Sequence, residues 1–193
     1  MNIIRVFSFA ALVIAIGAVV ADDKKFDMQA AMAAMAQHGT PGDAHKVLNG
    51  YAGKWNYSGK WYAPDGVTSM DMKGASESNV VMEGRFYTES IKSTDPQMPF
   101  EGKLWVGFDN YTKKYWFCWI DSSTTSLSQG TGTWDAATHT MTWTGEMFDP
   151  YEKKNYKSKE VQVVKPDSID KTFYRIDGGK ETKEMELHYT RAK

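Results

Sequence analysis

From Trp55 to the end of the chain, apolar and polar residues alternate with a period of two, in about ten short runs separated by turn-forming clusters. That is the spacing of a strand whose successive side chains point to opposite faces. Trp55, Tyr57 and Trp61 share one face of the first run, and Pro64-Asp65-Gly66 turns the chain. A second run reaches about Val81, Gly84 marks a bend, and Arg85–Ile91 forms a third. After a loop over Lys92–Phe100 come Leu104–Phe108, Tyr115–Asp121, Leu127–Trp134, Met141–Phe148, Tyr156–Val164, Ile169–Ile176 and Thr182–Arg191. Turns this short force neighbouring strands to pair antiparallel. An open sheet of that many strands leaves two raw edges, which closure removes. The expected fold is all-β: an antiparallel up-and-down meander of about ten strands, closed into a barrel, with a two-layer sandwich as the alternative.

One or two short helices precede the strands. Residues 24–37 are rich in alanine, and Met28, Met32 and Met35 fall on one helical face, expected to pack on the barrel end. Asp43 reads as the N-cap of a second helix that carries Val47, Leu48 and Tyr51 inward. Upstream, Arg5 is followed by an apolar run over Val6–Val20 that ends in a cleavage-site pattern, Val19-Val20-Ala21. The run is short for a bilayer span. The expected organisation is a signal peptide over 1–21, a helical segment over 22–44 and a barrel domain over 45–193. The mature chain is expected in the periplasm or secreted, without stable membrane insertion.

Cys118 is the sole cysteine, so no intramolecular disulfide can form, and alternation with Trp116 and Ile120 suggests a buried, inert thiol. Stability rests on the core. Cleavage leaves 172 residues with 22 basic and 24 acidic side chains. Near-neutral, scattered charge excludes the electrostatic footprint of a nucleic-acid binder.

The strands are rich in aromatics, including seven tryptophans. Most are expected to fill the core, while some line an apolar pocket oriented by a few polar groups. The pocket candidates are Trp55, Tyr57, Trp61, Arg85, Glu101, Trp119 and Asp121. Arg85 and Glu89 share a parity with Tyr87, and a buried Arg85 would need Asp121 or Glu101 as partner. The plainer role for such a pair is to tie the loop over 92–102 to the barrel. Trp116 and Trp119 fall on opposite faces of one strand, so one of them points outward. His45 is expected at a barrel end and His139 in an exposed turn, and parity places His188 with Glu184 and Glu186 on the polar face. No nucleophile elbow, phosphate-cradling glycine loop, zinc-protease helix or cysteine pair is present, and no cofactor or metal site is expected.

Several short patterns occur in a fixed order. They include Thr40-Pro41-Gly42 with His45, Leu48, Gly53 and Trp55; Gly84-Arg85-Phe86; and Pro99-Phe100-Glu101-Gly102. They continue with Gly107-Phe108-Asp109-Asn110, Thr112, Lys114-Tyr115, Trp119-Ile120-Asp121-Ser122, Gly132-Thr133-Trp134-Asp135 and Met185-Glu186-Leu187. Together, over roughly residues 28–192, these resemble the bacterial exported family called domain of unknown function 1579. The resemblance implies a calycin-like, lipocalin-like β-barrel and no particular activity.

The expected function is binding of a small apolar or amphipathic ligand inside an exported barrel. The alternatives are a structural or interaction module using outward aromatics, an enzyme acting on a small hydrophobic substrate, or haem binding of the kind some ten-stranded calycin-like barrels show through a histidine on the last strand. The leader is tested by intact-mass measurement of protein recovered from an exporting host. The chain should begin at Asp22, and a chain that keeps Met1 would contradict the leader.

Overall fold

The period-two alternation is realised as ten strands in the computed structural model, which describes residues 26–65 and 67–193. The expected leader lies outside the described residues. The strands are β1 Gly53–Tyr62, β2 Ser69–Val81, β3 Phe86–Ser93, β4 Glu101–Asp109 and β5 Lys114–Asp121. They continue as β6 Ser128–Asp135, β7 Thr140–Asp149, β8 Lys154–Val164, β9 Ser168–Asp177 and β10 Lys180–Arg191. Each pairs antiparallel with its neighbour in sequence, and β1 pairs with β10, so the sheet closes into a barrel rather than a sandwich. Closure leaves no unpaired edge.

The closing seam runs through Tyr57↔Tyr189, Gly59↔Leu187 and Trp61↔Met185. Gly59 matters there for its lack of a side chain: a Cβ would collide with the Glu186 carbonyl and lie 2.8 Å from the Leu187 Cα. The two backbones can approach only because nothing projects between them.

Odd-numbered residues of β1 face inward, and the register carries that parity around the wall. At one end the interior is solid: Trp55, Tyr87, Val106, Tyr115, Met141, Ile169 and Tyr189 are buried together with Leu48 and Tyr51. Leu48 and Tyr51 come from a 3-10 turn, Val47–Tyr51, which follows the short helix α2, Asp43–Lys46, and plugs that end. Asp43 is the first residue of α2 rather than its cap. The Gly42 N–H instead donates to His45 Nδ1 at 3.0 Å, and the buried His45 ring meets Phe108 edge-on.

The first helix, α1, spans Met28–Gly39, capped by Asp27, whose carboxylate accepts the Ala30 N–H at 3.0 Å. The expected packing of its methionine face does not occur: Met28, Met32 and Met35 are all exposed. The barrel end they would cover is already sealed by Leu48 and Tyr51. The C-terminus of α1 is tied down where the Asn110 side-chain amide donates to the His38 and Thr40 carbonyls at 2.8 Å.

The seam gives a stability prediction. Gly59→Val should cost roughly 1–3 kcal/mol through overpacking between β1 and β10. A denaturant midpoint equal to that of the unsubstituted chain would show that the seam is not closed this tightly.

Candidate functional site

Beyond the plugged end, the barrel is hollow. Large rings on its inner wall lie over glycines of adjacent strands instead of standing into the lumen. A Cβ at Gly74 would run into the Tyr57 ring, one at Gly102 into Trp119, and one at Gly132 into Trp143. At Gly130 it would meet Phe117 at 2.6 Å. The rings fill the space that side chains would occupy on those strands, and the centre stays empty. The result is a cavity of about 310 Å³, open at the end opposite the plug. Ligand pockets run from roughly 300 to 1,000 Å³, which puts this one at the small end.

The floor of the cavity is polar. Glu89 on β3 and Lys171 on β9 are 2% and 5% exposed, and their side chains meet across the lumen at 3.3 Å. Lys171 Nζ also lies 4.3 Å from the centre of the Tyr189 ring, which in turn stacks on Tyr57 at 5.3 Å. Glu160 on β8 joins the group and accepts a hydrogen bond from Gln162 Nε2 at 2.6 Å. Glu160 is only half-buried because the surface it keeps faces the cavity. Burial holds its carboxyl above the usual glutamate range, against the pull of Lys171 and the Gln162 hydrogen bond. Burial would lower the Lys171 ammonium, but the charges of Glu89 and Glu160 outweigh it and hold it up. Gln162 Oε1 and the Tyr51 hydroxyl have no hydrogen-bond partner among the described residues. A second, smaller void of about 10 Å³ lies between the plug residues Leu48 and Tyr51 and the floor residues Gln162 and Lys171.

At the mouth, Phe100 stacks on Trp119 at 6.2 Å, and the Trp119 indole N–H donates to Asp121 Oδ2 at 2.7 Å. Asp121 is also held by the Ser123 N–H at 2.9 Å. Across the opening, the register between β9 and β10 shifts after Lys183, and both Glu184 and Met185 line the cavity. Tyr156 donates to Glu184 Oε2 at 3.2 Å. Arg175 anchors this rim, with Asp149 at 2.7 Å, Glu152 at 2.6 Å and Asp177 at 2.7 Å.

Of the seven residues singled out in the sequence, Tyr57, Trp61, Trp119 and Asp121 line the cavity. Trp55 does not. It is packed into the solid end, where its indole N–H donates to the Tyr51 carbonyl at 2.9 Å and the Arg191 guanidinium covers its face at 4.0 Å. Arg85 also lies outside. Met82, Glu83 and Gly84 turn with positive φ, the strand starts at Phe86, and Arg85 pairs with Glu83 on the surface at 2.9 Å. Glu101 points outward and pairs with Lys92 across β3 and β4 at 2.6 Å. Glu89 faces inward as its parity indicates, but its partner is Lys171. His188 is on the outer wall, 2.6 Å from Asp170, and His139 is exposed. Cys118 is half-buried on the outer wall rather than in the core. Sequence reasoning missed Glu160, Gln162 and Lys171 on the floor and Glu184 at the rim.

The carboxyl held high by burial has a signed consequence for stability. Glu160 is neutral in the fold over a window where the unfolded chain has already lost the proton, so folding stability falls as pH rises through that window. Glu160→Gln removes the penalty. The variant should melt a few degrees above the unsubstituted chain at pH 7–8, at about 2–4 °C per kcal/mol for a domain of this size. The difference should vanish near pH 4, and a gap that stays constant across that range would contradict the assignment.

No curated protein matches the chain. Among solved structures it is similar to Rv2717c from M. tuberculosis, with a TM-score of 0.58 and 11% sequence identity over 80% of this chain and 100% of that one. At that identity the likeness speaks for the barrel fold alone. The model of a family described as a protein of unknown function, DUF1579, matches residues 40–191, so the sequence motifs, the closed barrel and this match agree that the chain belongs to that family.

Proposed function

We propose that the chain is an exported binding protein that holds one small, largely apolar or amphipathic molecule inside its barrel. The observation that carries this reading is the open cavity itself. Ten strands with this many interior aromatics could fill their core, yet the rings lie over glycines and leave about 310 Å³ open to the mouth. Aromatic walls supply apolar contact, and the charged floor supplies orientation. Apolar wall buried on binding is worth roughly 25 cal/mol per Å² before the entropy of association is subtracted.

Two alternatives are less well supported. Haem binding through a histidine on the last strand has no residue to carry it: His188 faces outward, and the described cavity lining holds no histidine. A contact surface on the outer wall would use Trp105 and Ile120, which are 42% and 52% exposed. Trp116, however, lies against Gly107 and meets Phe86 at 5.9 Å, so its outward orientation is explained by local packing.

Native mass spectrometry of residues 22–193, purified gently from an exporting host, tests the proposal. The expected result is a reproducible added mass that leaves on denaturation, at one equivalent per chain. A bare polypeptide that also takes up no apolar probe would contradict it.

A further inference from the structure

We infer that the polar head of the ligand is a cation: an organic ammonium group seated on the cavity floor against Glu160, with its apolar body along the aromatic walls. The inference rests on the ligand-binding reading above and names its chemistry.

The charges lining the cavity are unbalanced. Glu89, Asp121, Glu160 and Glu184 line it, against Lys171 and, at its edge, the outward-parity Lys159. Lys159 is taken by Glu181 on the outer wall, and Lys171 by Glu89. Glu184 has Arg175 at 3.8 Å and the Tyr156 hydroxyl. Asp121 has the Trp119 indole N–H and the Ser123 N–H. Glu160 has a neutral amide donor, Gln162, and only a share of Lys171. It is the one lining carboxyl without a committed positive or multiple-donor partner among the described residues, and a buried carboxylate needs one.

The surroundings of Glu160 suit a cation and not an anion. In register it sits between Trp143 on β7 and Phe173 on β9, so a positive head meeting the carboxylate is flanked by two aromatic side chains. The other groups that face it are Lys171 on β9, Glu89 on β3, Tyr51 of the 3-10 turn and Tyr189 on β10. Gln162 Oε1 and the Tyr51 hydroxyl, the unpartnered oxygens nearby, are sealed behind the floor, so Glu160 is the acceptor that the head meets. A carboxylate head would instead meet two glutamates, and the one cation at the floor is already paired with Glu89.

Binding then carries a proton count. Over the pH range in which burial keeps Glu160 protonated, an incoming R–NH₃⁺ favours the carboxylate, and the proton that Glu160 gives up leaves to the buffer. Affinity for an amine should therefore rise with pH through the raised range of Glu160 and fall once the amine itself loses its proton.

A matched series tests this: phenylpropylamine, phenylpropanol and phenylpropanoate share one body and differ in the head. By calorimetry, the amine should bind the full mature chain at least about tenfold more tightly than the alcohol, with the carboxylate weakest. Titration in two buffers of different ionisation enthalpy, repeated across pH, should show proton release for the amine alone, confined to the raised range of Glu160. Glu160→Gln should bring the amine down to the alcohol's affinity and abolish the proton release. If alcohol or carboxylate binds as well as the amine, the cation inference is overturned while ligand binding stands. If none of the three binds, both fail together.

Discussion

The barrel stays hollow because rings and glycines are paired on its inner wall. Tyr57 lies over Gly74, Trp119 over Gly102, Trp143 over Gly132 and Phe117 over Gly130. Each pair covers bare backbone with an aromatic face, so wall positions that cannot themselves fill space become apolar surface. With ordinary side chains at those glycines, the same rings would be pushed toward the axis and the lumen would close. Cavity, mouth and floor all follow from that arrangement. The plug made by Leu48 and Tyr51 then decides which end is open.

The floor runs against the usual logic of a core. A buried Lys171–Glu89 pair contributes little net stability compared with an apolar pair of the same volume, and Glu160 beside it carries a further cost. Groups of this kind, gathered at the base of an otherwise apolar pocket, are what orienting a ligand requires. The rim is built differently. Arg175 gathers carboxylates from the end of β7, the β7–β8 turn and the end of β9, tying strand ends together where the barrel is open. The outer wall is laced with cross-strand ion pairs such as Lys60–Asp71 and Lys92–Glu101, exposed enough to contribute little individually.

Much of this was legible in the sequence, for a physical reason. Period-two alternation between short turns fixes strand number and antiparallel order, and it puts Trp55, Tyr57 and Trp61 on one face and Trp116 and Trp119 on opposite faces, without saying which of those two faces is the inner one. The floor was harder to see. On β8 the visibly apolar parity is Val161 and Val163, which faces out, while Glu160 and Gln162 face in. On β9, Lys171 alternates in phase with Ile169 and Phe173, a signal that could have been read, since a cation in phase with a core face is either buried with a partner or misassigned. Glu184 was hidden because a register shift breaks the alternation at that residue. Arg85 was misplaced because three consecutive positive-φ residues swing it out before the strand begins. The packing of α1 could not be read from its methionine spacing, because amphipathic spacing says which residues share a face and not whether anything covers it.

The central claim is that the lumen, and not the outer wall, receives the ligand. The most direct measurement is ¹⁹F NMR of the chain labelled with fluorotryptophan while phenylpropylamine is added, with each resonance assigned by single Trp→Phe replacements. The resonances of Trp61, Trp119 and Trp143, which line the cavity, should shift together and saturate, while those of Trp105 and Trp116 on the outer wall stay in place. Shifts confined to Trp105 and Trp116, with the interior three unmoved, would contradict the account and turn attention to the outer surface.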